Sequence, residues 1–312
     1  MKKTLALLAL LAAAGTPVPA AAQREPRPRR DAALEAKLQQ LVTPFHGTVG
    51  IYVRHLRSGR YAAIRADEVF PTASMIKVPI MLTLFQEIAD GRVGWLDTLT
   101  YRDSLLYAGE DDLLGKLRDS TPIPLAQVAM LMITTSDNTA SLWLQKLVGT
   151  GTAINAWLAG HGFDSTRVNS RTPGREGARS MYGWGQTTPR EMAGLLAMIR
   201  EQRAVSPAAD QEMYRMLTRI YWNGEALSQV PPWVQAAAKQ GAVDHSRSEV
   251  MLVNAPSGDY VFSVITKGQA DTTYTSANEG HVLLRRVSAL LWSTFEPKHP
   301  WTPAPGVERF KP

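Results

Sequence analysis

Thr72-Ala73-Ser74-Met75-Ile76-Lys77-Val78-Pro79 runs directly into the apolar residues Ile80, Met81, Leu82, Leu84 and Phe85. The apolar run predicts a helix. Residues three apart on a helix share a face, so Lys77 reaches back toward the hydroxyl of Ser74 at the helix start. The first N–H groups of a helix lack intrahelical partners and carry a partial positive charge. A serine placed there has an amine to take its proton and a backbone N–H to hold an oxyanion. Ser-x-x-Lys alone arises by chance about once in a chain of this length, so its meaning depends on the rest of the chain.

Upstream of this stretch, Asp31 can cap a helix through Val42. Gly47 to His55 is β-branched and aromatic, and Tyr61 to Ala66 returns as its partner after the turn at Ser58-Gly59. Downstream, from about Pro124 to Gln229, nearly every periodic segment is helical. Leu125 to Ile133, Ala140 to Val148, Ile154 to Leu158 and Ser206 to Ile220 each carry an apolar face. Thr188-Pro189-Arg190-Glu191 is a further helix start, with cap, N1 proline and acidic third residue in place. Phe163 to Gln186 is a long connection rich in Gly, Arg, Ser and Asn; such loops inside compact domains tend to be functional or mobile. Strands return at Gln235–Gly241, Val250–Asn254 and Tyr260–Lys267, the last two joined by the turn Pro256-Ser257-Gly258-Asp259. A final helix spans Glu279 to Phe295, followed by a Pro-rich tail. A sheet built from both chain ends and split around a helical insertion is the simplest arrangement of this order.

Composition removes several function classes. There is no cysteine, hence no disulfide, thiolate metal site or cysteine nucleophile. The six histidines form no His-x-His or His-Glu-x-x-His pair, which argues against a zinc hydrolase. No Gly-x-Ser-x-Gly surrounds a serine. The formal charge is +6, two units of it from Lys2 and Lys3, and the basic residues are scattered apart from Arg24 to Arg30, which reads as a solvated leader. No basic stripe interleaved with aromatics points to nucleic acid. Lys2 and Lys3, the short apolar run Leu5 to Ala14 and Ala20-Ala21-Ala22 predict a bacterial export signal over residues 1–22. The run is too short to span a membrane. The expectation is therefore a periplasmic or extracellular monomer acting on a small molecule, with no metal and no cofactor.

Two further motifs suit an acylation site. Ser136-Asp137-Asn138 lies at a junction of two predicted helices, and Lys239-Gln240-Gly241 ends a predicted strand. Together with Ser74-Met-Ile-Lys77, and in this order, they resemble the class A β-lactamase family and its penicillin-recognising relatives. The resemblance covers the chain from about Asp31 to Phe295. It implies a fold in which an antiparallel sheet flanked by helices, from residues 31–98 and 235–295, carries an all-helical insertion over 99–234, with residues 23–30 as leader and 296–312 as tail. It also implies roles. Ser74 would open the cyclic amide of a β-lactam as nucleophile, and Lys77 would accept its proton, for which it must be neutral part of the time. Ser136 would relay a proton to the leaving nitrogen. Lys239 would supply positive potential, and Asn138 would hold the substrate amide. Asp137 would tie its loop. The backbone N–H groups of Ser74 and Ala242 would form the oxyanion hole. Gln240, Gly241 and Arg247 would contact substrate, Arg247 as a bidentate carboxylate anchor.

The sequence departs from the family pattern in three places. The family's water-positioning glutamate precedes a Leu-Asn pair in the loop before the Thr-x-Pro helix. Here Phe163-Asp164-Ser165-Thr166-Arg167-Val168-Asn169 holds no glutamate. Glu176 is the glutamate left in that loop, either a solvated residue or a deacylation base; Asp164, Glu110, Asp111 and Asp112 are the other carboxylates to consider. Gln240 stands where the family has a Ser or Thr hydroxyl that helps bind the substrate carboxylate. Tyr107 is either an aromatic wall of the site or a locally packed residue. The first departure leaves a second outcome open, a penicillin-binding protein that acylates and then stalls. A peptidase or esterase of the same fold is the third.

Overall fold

The computed structural model describes residues 26–108 and 112–311. The expected export signal lies outside the described residues, as do Glu110 and Asp111. A six-stranded sheet forms the centre of the molecule. Its order is Arg29–Arg30, Arg60–Ile64, Thr48–His55, Tyr260–Lys267, Ser246–Val253 and Ala236–Val243. Every neighbouring pair is antiparallel except the short first one. Strands from the two ends of the chain meet where Tyr260–Lys267 pairs with Thr48–His55, Val264 opposite Ile51. The β-branched and aromatic content of these two segments suits a strand buried on both faces, and Ile51, Val53, Phe262, Val264 and Ile265 are all fully buried.

Helices Ala32–Val42 and Glu279–Phe295 pack on one face of the sheet, and Pro189–Arg200 packs on the other. Each begins on a side-chain cap. Asp31 accepts from the N–H of Leu34, Asn278 from Gly280 and His281, and Thr188 from Glu191. Four further helices, Leu125–Thr134, Asn138–Leu147, Thr150–Gly160 and Pro207–Leu217, lie in the stretch between the two halves of the sheet, around the buried helix Lys77–Ala89.

Three features differ from the sequence expectation. Ser74 sits in a 3-10 turn, Ala73–Ile76, and the α-helix begins at Lys77. Pro79 falls in the first turn of that helix, where its missing N–H would have had no partner. The strand expected from Val250 begins four residues earlier, at Ser246, because Ser246-Arg247-Ser248-Glu249 is polar yet entirely buried. The connection Phe163 to Gln186 is ordered: Arg167–Val168 and Gly185–Thr187 pair with each other, Gly185–Thr187 also pairs with Phe70–Pro71, and the helix Glu176–Tyr182 lies between them. This small sheet joins the connection to the chain leading into Ser74, and the N–H of Thr72 donates to Gly185 O at 3.0 Å.

Candidate active site

The first two motifs meet at Lys77, and the third joins them through Ser136. Lys77, fully buried, places Nζ 2.9 Å from Ser74 Oγ, 3.1 Å from Ser136 Oγ and 2.6 Å from Asn138 Oδ1, and also bonds Ser136 O. Ser136 O and Asn138 Oδ1 can only accept. An amine that gives two protons to them retains a direction in which Ser74 Oγ–H can be the donor. Lys239 Nζ lies 3.0 Å from Ser136 Oγ, so the Ser136 hydroxyl bridges the two lysines. Lys239 is also fully buried, and desolvation, with the nearby Lys77 adding to it, holds its pKa well below the usual lysine value.

Tight turns deliver the two serines. Ala73 has φ +43° and Ser136 has φ +65°, a region that non-glycine residues rarely occupy. Each costs about 1–3 kcal/mol, which the surrounding bonds must offset. Around Ser136 those bonds are visible. Asp137 caps the helix Asn138–Leu147 by accepting from Ala140 N at 2.7 Å, and its other oxygen accepts from Leu114 N at 2.9 Å. Asp112 accepts from Asn138 N at 2.9 Å, Thr139 N at 2.7 Å and Thr139 Oγ1 at 2.8 Å. Asp137 thus has the loop-tying geometry expected of it. Asp112, considered earlier as a carboxylate near the reacting centre, instead holds the turn from behind. Nothing local in the sequence marks it, since it lies in a loop far from the residues it caps.

Strand parity sorts the other motif. Lys239 opposes Val250, Gly241 opposes Ser248 and Ala242 opposes Arg247. Lys239 and Gly241 face Ser74, and a Cβ at Gly241 would lie 2.7 Å from Thr72 O and 2.8 Å from Ser74 N. Arg247 N donates across to Thr266 Oγ1 at 2.8 Å, away from Ala242. Arg247 and Ala242 are therefore a non-hydrogen-bonded pair, which turns the Ala242 N–H outward from the open edge of the sheet. The N–H of Ser74, near the start of its 3-10 turn, has no partner within that turn. Ala242 and Ser74 both line the cleft. Ser248, not among the expected site residues, bonds Gly241 O at 3.1 Å and Thr72 O at 3.4 Å and so ties the strand to the serine turn. Counting back from the turn of the hairpin would have found it.

Two expected contacts are not made. Arg247 alternates to the opposite face of the strand, fully buried, where it packs against Gly280 of the last helix. Its guanidinium donates to Val243 O, Ser246 O and Thr273 O and lies over the Tyr274 ring. It therefore organises backbone and presents no fork to a substrate. Glu176 is exposed in the first turn of its helix, accepts from Gly174 N at 3.1 Å and does not line the cleft. Asp164 is exposed as well, 3.9 Å from Arg167. Asn169 binds Arg175 through Oδ1 and holds its loop.

The cleft beside Ser74 has a volume of about 780 Å³. Tyr107 and Trp184 form one wall, edge to face with centroids 5.0 Å apart. The Tyr107 N–H donates to Thr139 Oγ1 at 3.1 Å, which fixes the wall to the Ser136 turn. Trp184 carried no signal in the sequence. Met181 and Tyr182 extend this rim, and Ala242 to Ser246 form the opposite one.

The family described as "Beta-lactamase enzyme family" matches residues 33–295. A β-lactamase of Streptomyces fradiae is 30% identical over 179 residues, 54% of this chain and 56% of that protein, so the match spans little more than half of the relative. The solved structure of PBP-A is 28% identical with a TM-score of 0.78, covering 88% of this chain and 99% of that one. Its L158E mutant, solved as an acyl-enzyme complex with penicillin G, superposes with the same TM-score. A β-lactamase from Sphaerobacter thermophilus, at 21% identity, has a TM-score of 0.75 over 88% of this chain and 99% of that one and shares the fold.

Proposed function

The chain belongs to the β-lactamase enzyme family, and from that premise we propose that it is an exported serine acyl-transfer enzyme in which Ser74 attacks the amide of a β-lactam or related acyl substrate. The observation that carries this reading is the contact of Lys77 with Ser74, Ser136 and Asn138, closed by Lys239 on Ser136. Ser74 Oγ passes its proton to Lys77 Nζ as the Oγ–C bond forms. The N–H groups of Ser74 and Ala242 stabilise the oxyanion. The C–N bond then breaks, Ser136 gives its proton to the leaving nitrogen, and Lys77 restores the proton to Ser136. Asn138, with Oδ1 on Lys77, keeps its Nδ2 as a donor for the substrate amide.

The position of Glu176 favours a second feature, slow release of the acyl group. A deacylating water needs a base within hydrogen-bond reach. Among the described residues, the carboxylate that lines the cleft is Asp244, whose Oδ1 is engaged by the Tyr274 hydroxyl at 3.0 Å. We therefore assign no release role to Glu176. Intact-protein mass spectrometry after exposure to penicillin G tests both statements. The expected result is an adduct on the wild type, none on Ser74→Ala, and an adduct that outlives removal of free drug. An adduct on Ser74→Ala would remove the nucleophile, and return of the wild type to its unmodified mass within seconds would remove the slow release.

A further inference from the structure

Among the described residues, no Lys or Arg side chain that lines the cleft beside Ser74 is left unpaired for a substrate carboxylate. Lys239 is fully buried, and its Nζ lies 3.0 Å from each of Ser136 Oγ, Gln240 O and Gln240 Oε1. An ammonium has three protons, so these three oxygens use them all. In the neutral form, which burial beside Lys77 favours, the two Gln240 oxygens take both protons and no charge remains. Arg247 is on the far face of the strand. Among the described residues the cleft is lined by one lysine and no arginine. That lysine, Lys267, is held by Glu68 at 2.7 Å and by Val69 O at 2.8 Å. Asp244 adds a negative group to the same lining. His245 also lines the cleft, with its Nδ1 3.0 Å from Gln269 O. A carboxylate desolvated here would meet a lysine already paired with Glu68 and no unpaired Lys or Arg among the described lining residues, which is costly.

We propose that the substrate group beside the attacked carbonyl is uncharged, an ester or carboxamide rather than a carboxylate, and that Gln240 sets this preference. The inference rests on the acylation of Ser74 proposed above. Gln240 acts in two ways. Its Oε1 occupies a Lys239 proton that a shorter hydroxyl residue would leave to the substrate. Its Nε2, which makes no hydrogen bond among the described residues, offers a neutral donor at the edge of the sheet.

Benzylpenicillin and its methyl ester form a matched pair for the test, read as second-order rates of adduct formation on wild type and Gln240→Thr. The wild type is expected to react with the ester at least about tenfold faster, equivalent to about 1.4 kcal/mol. Gln240→Thr is expected to move the ratio toward the acid by about the same factor. A wild type that takes the acid as fast as the ester overturns the proposal, and so does an unchanged ratio in Gln240→Thr. Binding of the two compounds to Ser74→Ala, measured by calorimetry, separates this from the acylation reading. If the wild type forms no adduct with either compound, acylation fails, and the ratio of the two Kd values decides the preference. A tenfold tighter ester sustains it, and equal or reversed affinities overturn it.

Discussion

Lys77 is the residue on which the site depends most, because one nitrogen joins two motifs directly and meets the third through the Ser136 hydroxyl. Its contacts with Ser136 O and Asn138 Oδ1 fix its position without consuming the direction of Ser74 Oγ. Lys77→Met retains the length of the side chain and much of its packing but removes the proton acceptor proposed above. Acylation of Ser74 by penicillin G is expected to slow by about 10²- to 10⁴-fold, the usual worth of a positioned base, as read from the rate of adduct appearance by mass spectrometry. Asn138 and Ser136 lose a donor in the same variant, so the thermal unfolding midpoint should be recorded beside the rate. A rate within threefold of wild type in a folded variant would transfer the role of base to Lys239, the other amine on the Ser136 hydroxyl.

At the scale of elements, the site is a contact between an edge strand and a 3-10 turn. Gly241 permits it, since a Cβ there would meet Thr72 O, Ser248 Oγ and Ser74 N, all at 2.8 Å or less. Gly241→Ala must push Ala236–Val243 away from Ala73–Ile76 and so part the N–H groups of Ser74 and Ala242. The expected cost is about 10²-fold in acylation rate, comparable to the loss of an oxyanion donor, with about 1–3 kcal/mol of stability from overpacking. Unchanged acylation in Gly241→Ala would mean that the two N–H groups do not act as a pair. The same contact shows what the sequence could and could not convey. Ser74, Lys77, Ser136, Asn138 and Lys239 were legible because short motifs in fixed order report an arrangement that the chemistry requires. Strand identity is legible from β-branched runs, but only strand parity separates the two faces, and it turns Arg247, an expected substrate anchor, toward the last helix. Asp112 and Trp184 act through tertiary contacts, with no periodicity or motif of their own, whereas Ser248 is marked only by its parity along the strand. The segment Phe163 to Gln186 lacks an apolar period because its order comes from a small sheet and from side-chain bonds such as those of Asn169 and Glu191.

On the scale of the whole molecule, the sheet separates two buried ionisable groups whose shifts give opposite slopes of stability with pH. Lys239 lies toward Ser74. Glu249, fully buried and opposite Gln240 in register, accepts from Ala226 N at 2.7 Å. Burial raises the Glu249 pKa to about 8, with the neighbouring Glu225 adding to the rise and Lys239 opposing it. A carboxyl whose folded pKa exceeds its unfolded value of 4.5 contributes stability that is full below pH 4.5 and is lost as pH rises through about 8. Lys239, depressed by burial, gives the opposite slope toward its unfolded value, and it does so with either residue at 249. Glu249→Gln retains an acceptor for the Ala226 N–H and removes the titration. The variant should therefore gain on the wild type as pH rises from 5 to 9, by at least about 1.4 kcal/mol, the equivalent of one pKa unit. Denaturant unfolding of both proteins across this range measures the difference. Parallel pH profiles would mean that Glu249 is ionised in the fold throughout, paired electrostatically through the sheet with a charged Lys239. The lysine beside Ser136 would then carry a full positive charge in the resting protein.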